Sequence, residues 1–356
     1  MTLPDPSRTN IKGWLQGLRA ALPKGGQPDW PPRRLSLALQ GGGSFGAFTW
    51  GVLDRLLEDD RIEIDMISGA SAGAINGALL ASGLADGDRD EARARLERFW
   101  KRVSAGAPFV SLAKMALQSQ QGLGQWLRDL APVQMNPFDL NPLRAILKEE
   151  IDFAAVSRSP VQLMVSATRV RDGRLRIFQN AELDVERLLA SACLPMVHKT
   201  IWVEGEAYWD GGYVANPPLL HLVRASGSAD ILVVRLTPTR TDEIPTSPKD
   251  IAKRLDEIAF NSPLESEIAA LEALTWRSRN EWHDDTPSLR RLRALSLHTI
   301  AAEDNVANFK NQSASDIGWT FLKMLRDAGR DATQDWIESN GRTEADGATD
   351  PSLLQR

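Results

Sequence analysis

Cysteine is nearly absent. Among 356 residues only Cys193 occurs, so no intrachain disulfide can form. That excludes a disulfide-stapled secreted scaffold and fits a reducing compartment. Histidine is scarce as well, with four copies, His198, His221, His283 and His298. No metal-ligand cluster and no EF-hand-like loop is found, so neither a metal nor another cofactor is expected. No basic stripe runs along the chain, which argues against nucleic acid as the main partner. Long apolar runs are missing too. The longest, Ala72 to Ala85, is interrupted by Asn76 and Ser82 and falls short of the roughly 20 residues that a spanning helix needs. Met1 to Asn10 is polar with no apolar core after it, so no signal peptide is expected. A soluble cytoplasmic protein, at most peripheral at a membrane, is the expectation.

What is present is unevenly charged. Net charge is −5. From Thr241 to Arg356 there are 14 basic and 21 acidic residues, a net of −7, which leaves about +2 for the first 240. Residues 1–34 read as a peripheral segment with a Gly/Pro-rich linker, and Ile11, Trp14, Leu15 and Leu18 lie at helical spacing within it. The core starts at Leu35. A buried strand (Leu35 to Leu39), a glycine turn, a helix (Gly46 to Leu57), a second strand (Ile62 to Ile67), a sharp turn and a second helix reaching Leu84 follow one another. Strand, helix, strand, helix in about 50 residues predicts a right-handed βαβα unit with parallel strands, hence an α/β fold. Further strands are predicted at Val161 to Ala167, Leu175 to Phe178 and Ile231 to Leu236. A hairpin is predicted around Glu204-Gly205. Beyond residue 249 the pattern turns helical, with Leu264, Ile268, Leu271 and Leu274 on one face.

The first glycine turn poses a choice. Gly41, Gly43 and Gly46 fit the G-x-G-x-x-G spacing of a dinucleotide-binding loop. Such a fold wants an acidic residue at the tip of its second strand, to hold a ribose. Here Glu63 and Asp65 stand at the start of that strand, and its end runs ISGASAGAING. The tip therefore carries Gly69-Ala70-Ser71-Ala72-Gly73, which is G-x-S-x-G. This motif sets a serine on a tight strand-to-helix turn at the carboxyl edge of a sheet. The bland alternative is a small-residue turn that merely starts a helix. A serine attacking an acyl carbon creates an oxyanion, which needs N–H donors already in place. Gly41, Gly42 and Gly43 lie at the tip of the adjacent strand and could supply them without a side chain in the way.

A serine nucleophile needs a base. The histidines are candidates, and so is Asp210, in YWDGGYVANPP, where Gly211-Gly212 again admits close backbone approach. In isolation Asp-Gly-Gly reads as a hairpin turn. Cys193 lies at an apolar helical end with no basic neighbour closer than His198, and is a poor nucleophile candidate.

Together, G-G-G-x-x-G on one turn, G-x-S-x-G on the next and D-G-G late in the domain resemble the patatin-like phospholipases. The stretches SATRVRDGRLRIF, ASACLPMVHKTIWVEGEAYWDGG, NPFDLNPLRAIL and FLKMLRDAGRDATQDW look similar to bacterial members, and the likeness runs from about Leu35 to Trp336. The resemblance implies a three-layer α/β/α fold with a mainly parallel central sheet and a helical C-terminal extension. It implies a serine hydrolase of lipid acyl esters working through an acyl-enzyme, with Ser71 as nucleophile, Asp210 as base and Gly41 to Gly43 as oxyanion loop. Lipid or another acyl ester is then the partner, with transient contact to a membrane surface. One position departs. Phe45 stands where many members carry Arg or Lys, so the positive charge expected for an anionic head group is missing and a neutral lipid ester becomes more plausible.

Two rivals remain. One is an α/β-hydrolase with a Ser71–Asp210–His triad, using His283 or His298, both expected in helical segments. The other is a non-catalytic lipid-binding module on the same fold. The expected organisation is a peripheral segment over 1–34 and a catalytic domain over 35–240 with a candidate cap over 104–155. A helical extension over 241–340 and a flexible tail over 341–356 follow. The cap is suggested by Phe109, Val110, Met115, Leu123, Trp126 and Phe138.

Overall fold

The computed structural model describes residues 30–339, apart from 86, 107–140, 242, 281, 283–285, 308 and 310–311. The segment 1–29, the candidate cap side chains from Phe109 to Phe138, His283 and the tail lie outside the described residues.

The chain runs β1 (Arg34–Leu39), α1 (Gly46–Leu57), β2 (Glu63–Gly69), α2 (Ala72–Leu84), α3 (Arg89–Ala105), α4 (Pro142–Glu150), α5 (Phe153–Arg158), β3 (Gln162–Arg169) and β4 (Arg174–Gln179). It continues with α6 (Val185–Ser191), β5 (Ile201–Val203), β6 (Glu206–Asp210), α7 (Leu219–Ala225), β7 (Asp230–Arg235) and α8 (Pro248–Asn280). The last elements are α9 (Pro287–Ala294), β8 (Ser296–Ala301), α10 (Ala302–Asn305) and α11 (Trp319–Glu338).

One mixed sheet holds them, in the order β5-β6-β3-β2-β1-β7-β8, with β4 also on β3. The pairs β3–β2, β2–β1, β1–β7 and β7–β8 are parallel. Parallel strands covered on both faces must be apolar on both, and β1 is: Leu35, Leu37 and Leu39 enter one core while Ala38 enters the other. Helices α1, α2, α3 and α11 pack in the larger core, and α7 and α8 in the smaller one, giving three layers. Helix α2 is apolar or small all round and buried along nearly its whole length, as expected for a helix with no solvent face. Helix α3 instead buries only Ala92, Leu96, Phe99 and Trp100, at helical spacing, and starts on the Asp88 carboxylate, which accepts from the N–H groups of Asp90 and Glu91 at 2.8 and 3.0 Å.

The C-terminal helices expected are present, α8, α9, α10 and α11, with one departure. Ser296–Ala301 is a strand, in parallel register with β7. His298, expected in a helix, therefore lies on the sheet opposite Leu232. Helix α11 packs closely against α1. Leu322, Leu325 and Trp336 are buried in the main core, and a methyl group on Gly51 of α1 would drive into the Arg326 carbonyl of α11. The reciprocal contact sets Gly329 against the Phe48 carbonyl. The two helices thus touch backbone to backbone, and Arg330 closes the contact with ion pairs to Asp54 and Glu58. On α8 the predicted face holds at Leu264 and Leu271, but Leu274 is 40% exposed. The sequence pattern does not mark helix α4 separately. Asn141 caps it by accepting from the Leu143 N–H at 3.1 Å. Among the described residues no helix is long and apolar enough to cross a membrane.

Candidate active site

Strand β3 assembles the site. Its first half pairs in parallel with β2, Gly69 opposite Val165. Its second half pairs antiparallel with β6, Asp210 opposite Ala167. Because β4 occupies the other edge over Met164 to Arg169, β2 and β6 share one edge of β3 and meet end to end around Ser166. The two strand ends that face each other carry the G-x-S-x-G turn and the D-G-G turn. Ser166 fills the junction. Its hydroxyl donates to the Ala215 carbonyl at 3.0 Å and reaches the Gly69 carbonyl at 3.3 Å. A side chain on Gly211 would collide with Ser166 itself, and one on Gly212 would lie 2.5 Å from the Phe260 ring.

Ser71 sits between β2 and α2 with φ of 51° and ψ of −123°. A residue with a side chain rarely adopts that backbone, which costs about 1–3 kcal/mol and persists only when the surroundings impose it. They do so here. A Cβ on Gly69 would lie 2.6 Å from the Ala74 nitrogen, and one on Gly73 would overlap the Leu39 carbonyl at the end of β1. The Ser71 N–H donates to the Ser191 hydroxyl at 2.9 Å, from the end of α6. Asn76 ties the start of α2 to the start of α1, donating to the Ala72 and Gly46 carbonyls at 3.0 Å each. Gly46 permits that approach, since its Cβ would lie 2.7 Å from that of Ala72.

Asp210 is fully buried. Its N–H donates to the Cys193 carbonyl, its carbonyl accepts from the Thr168 hydroxyl at 2.7 Å, and Oδ1 accepts from the Gly212 N–H at 2.8 Å. Oδ2 closes no hydrogen bond among the described residues. Burial pushes this carboxyl up to about 7, while the Gly212 N–H and the Ser71 hydroxyl pull the other way. The serine hydroxyl is thus close enough to favour the charge without completing a bond to Oδ2. A buried carboxyl poised near neutrality beside a hydroxyl has the character of a general base.

The glycine loop divides its donors. The Gly41 N–H is already engaged, donating to Asn216 Oδ1 at 2.7 Å. The N–H groups of Gly42 and Gly43 donate to nothing among the described residues, and neither does that of Ala72 at the start of α2. Gly43 has φ of +58°, and its Cβ would lie 2.5 Å from the Ala314 carbonyl, so both conformation and space demand glycine. Phe45 is turned into the core, its ring 4.5 Å from that of Phe309.

Among the described residues no histidine hydrogen-bonds Ser71 or Asp210. Nε2 of His298 lies 2.9 Å from Asp230 Oδ1, near the amino ends of β7 and β8, with its ring packed on Trp30 and Trp336. His221 is exposed on α7. His198 is partly buried, which pushes its imidazole down, and its Nδ1 finds no partner among the described residues. Cys193 is buried and donates to the Lys199 carbonyl. Three contributors escaped the sequence reading: Ser166, Ser191 and the side chain of Asn216. Their one signal is a small polar residue inside an otherwise apolar or Gly/Pro-rich stretch.

A family model described as patatin-like phospholipase matches residues 37–223. No curated protein sequence matches significantly. Among solved structures, VipD from Legionella pneumophila is similar at 16% identity over 87% of this chain and 68% of its own, with a TM-score of 0.43. The type III effector protein ExoU is similar at 14% identity over 88% of this chain and 54% of its own, with a TM-score of 0.37. ExoU in complex with SpcU, from the type III secretion system of Pseudomonas aeruginosa, gives 14%, 88%, 53% and 0.35. This chain spans about two thirds of the first of these proteins and little more than half of the other, and the likeness is too distant to bear on function.

Proposed function

The chain belongs to the patatin-like phospholipase family, and from that premise we propose that it hydrolyses lipid acyl esters with a Ser71–Asp210 dyad. Asp210 takes the Ser71 proton as the hydroxyl oxygen attacks the ester carbonyl carbon. The tetrahedral oxyanion is held by the N–H groups of Gly42 and Gly43, with the Gly41 N–H retained by Asn216. The carbon–oxygen bond to the alcohol then breaks, and the alcohol leaves with the proton held by Asp210. Water, deprotonated by the same carboxylate, attacks the acyl-enzyme, and the fatty acid departs as Ser71 recovers its proton. The observation that carries this reading is the meeting of the two turns along one edge of β3, which brings a buried carboxyl with a free oxygen beside the serine.

Substrate is an acyl ester presented at a lipid surface. Phe45 contributes packing rather than charge to the glycine loop, which favours a neutral lipid over an anionic head group at this position. A single cysteine suits action from the cytoplasm. We take the catalytic unit to include α8, β8 and α11, since all three are joined to the sheet or its core.

A fluorescent fluorophosphonate tests the reading, because it reports an activated serine whatever the substrate. Wild type and His298→Ala should label; Ser71→Ala and Asp210→Asn should not. Loss of label in His298→Ala would favour the triad. Folded wild type without label would favour the non-catalytic module.

A further inference from the structure

The family match ends at residue 223, yet the glycine loop is secured from beyond it. Asn216 is fully buried and uses both ends of its amide. Oδ1 accepts from the Gly41 N–H at 2.7 Å, and Nδ2 donates to the Phe260 carbonyl of α8 at 3.0 Å. One residue along α8, Asn261 Oδ1 accepts from Gln40 Nε2 at 3.0 Å. Gln40 is also fully buried, and its Oε1 accepts from the N–H groups of Leu236 and Thr237 at 2.6 and 2.9 Å. Asn261 Nδ2 donates in turn to the Pro238 carbonyl at 2.8 Å. Two consecutive residues of α8 therefore hold both residues of the peptide that enters the loop, Gln40 directly and Gly41 through Asn216. The Phe260 ring also packs on Tyr213, with centroids 5.0 Å apart, and closes over Gly212 beside Asp210.

We propose that Asn216 is a positioning residue for the oxyanion loop, and that α8 sets it through the Phe260 carbonyl. This rests on the dyad reading above. The physical basis is orientation. A Gly41–Gly43 loop with no side chains has little to restrain its peptide planes, and an oxyanion donor works only if its N–H already points at the forming charge. Bonding the Gly41 N–H fixes the first peptide plane of the loop and so the direction of the next two. The amide of Asn216 can do this only in one orientation: the Phe260 carbonyl requires Nδ2 on its side, which leaves Oδ1 facing Gly41. Without α8 the amide could turn, and Nδ2 would then face the Gly41 N–H donor to donor.

The test compares wild type, Asn216→Ala and Asn216→Asp on a soluble short-chain ester, with active sites titrated by fluorophosphonate. Wild type must label first; if it does not, the dyad reading fails and the inference about Asn216 is not what failed. Asn216→Ala should lose about tenfold or more in kcat per titrated site with KM little changed, because the deficit arises only as charge develops. A merely structural role would reduce the titratable fraction and leave kcat per titrated site at the wild-type value, and that result would overturn the proposal. Asn216→Asp is nearly isosteric and keeps the acceptor for Gly41 but cannot donate to Phe260 while ionised. Its kcat should fall clearly below that of wild type at pH 8, and the ratio of variant to wild type measured at the same pH should rise as pH drops and the carboxyl can donate again, while both rates fall with Asp210. Wild-type kcat for Asn216→Asp at pH 8 would remove α8 from the mechanism.

Discussion

Gly69 and Asp210 end their strands two register positions apart on the same edge of β3, opposite Val165 and Ala167. The strands run toward each other, so their loops turn off the sheet at one place. The serine and the carboxyl arrive from distant parts of the sequence, yet neither needs a long excursion to reach the other. The gap is one residue wide, and Ser166 occupies it, its hydroxyl within reach of two carbonyls, Ala215 at 3.0 Å and Gly69 at 3.3 Å, and able to donate to one at a time.

The buried state of Asp210 sets the pH dependence of activity. Only the carboxylate can accept the Ser71 proton. With the group pushed up to about 7, kcat/KM for a soluble ester should rise with pH, about tenfold per unit below 7, and level off above it. A profile flat from pH 5 to 9 would mean an ordinary carboxylate and would sink the account of burial.

The same burial makes Asp210 costly to the fold. An unfolded aspartate releases its proton near pH 4, whereas the folded one keeps it until about 7. Between those values the folded state binds more protons than the unfolded, so stability falls as pH rises. Asp210→Asn removes this loss. Its stability relative to wild type should improve from pH 4 to 7 and stay level above, by an amount on the order of 4 kcal/mol at most. Urea midpoints of both proteins at pH 4, 6 and 8 would show it. An identical difference at all three would refute the linkage.

Helix α11 should behave as part of the core. Gly329→Ala forces a methyl group toward the Phe48 carbonyl, and neither helix backbone can yield without separating the pair. Destabilisation of about 3 kcal/mol or more is expected, with a matching fall in thermal midpoint. A change within experimental error would place α11 outside the cooperative unit.

Much of this molecule was legible along the chain. The short, continuously buried run of β1, the apolar α2 and the helical stripe of α3 are local patterns that declare their elements. The turns were legible for a related reason: in G-x-S-x-G and D-G-G, Gly69, Gly73 and Gly211 answer contacts within a few residues or with one neighbouring strand, and only Gly212 answers a distant helix, at Phe260. The strand Ser296–Ala301 was not legible, because SLHTIA lies between helical stretches and becomes a strand only by finding the free edge of β7. His298 followed it, from a candidate base to a partner of Asp230. The division of labour in the glycine loop was equally hidden. Three glycines in a row declare a loop of bare N–H groups, and the sequence by itself determined that much, together with the serine turn and the family. Which N–H is spent and which are left was decided only in three dimensions. Asn216 and Phe260 reach the loop from far along the chain, and hydrogen bonds across such distances leave no period in the sequence to read.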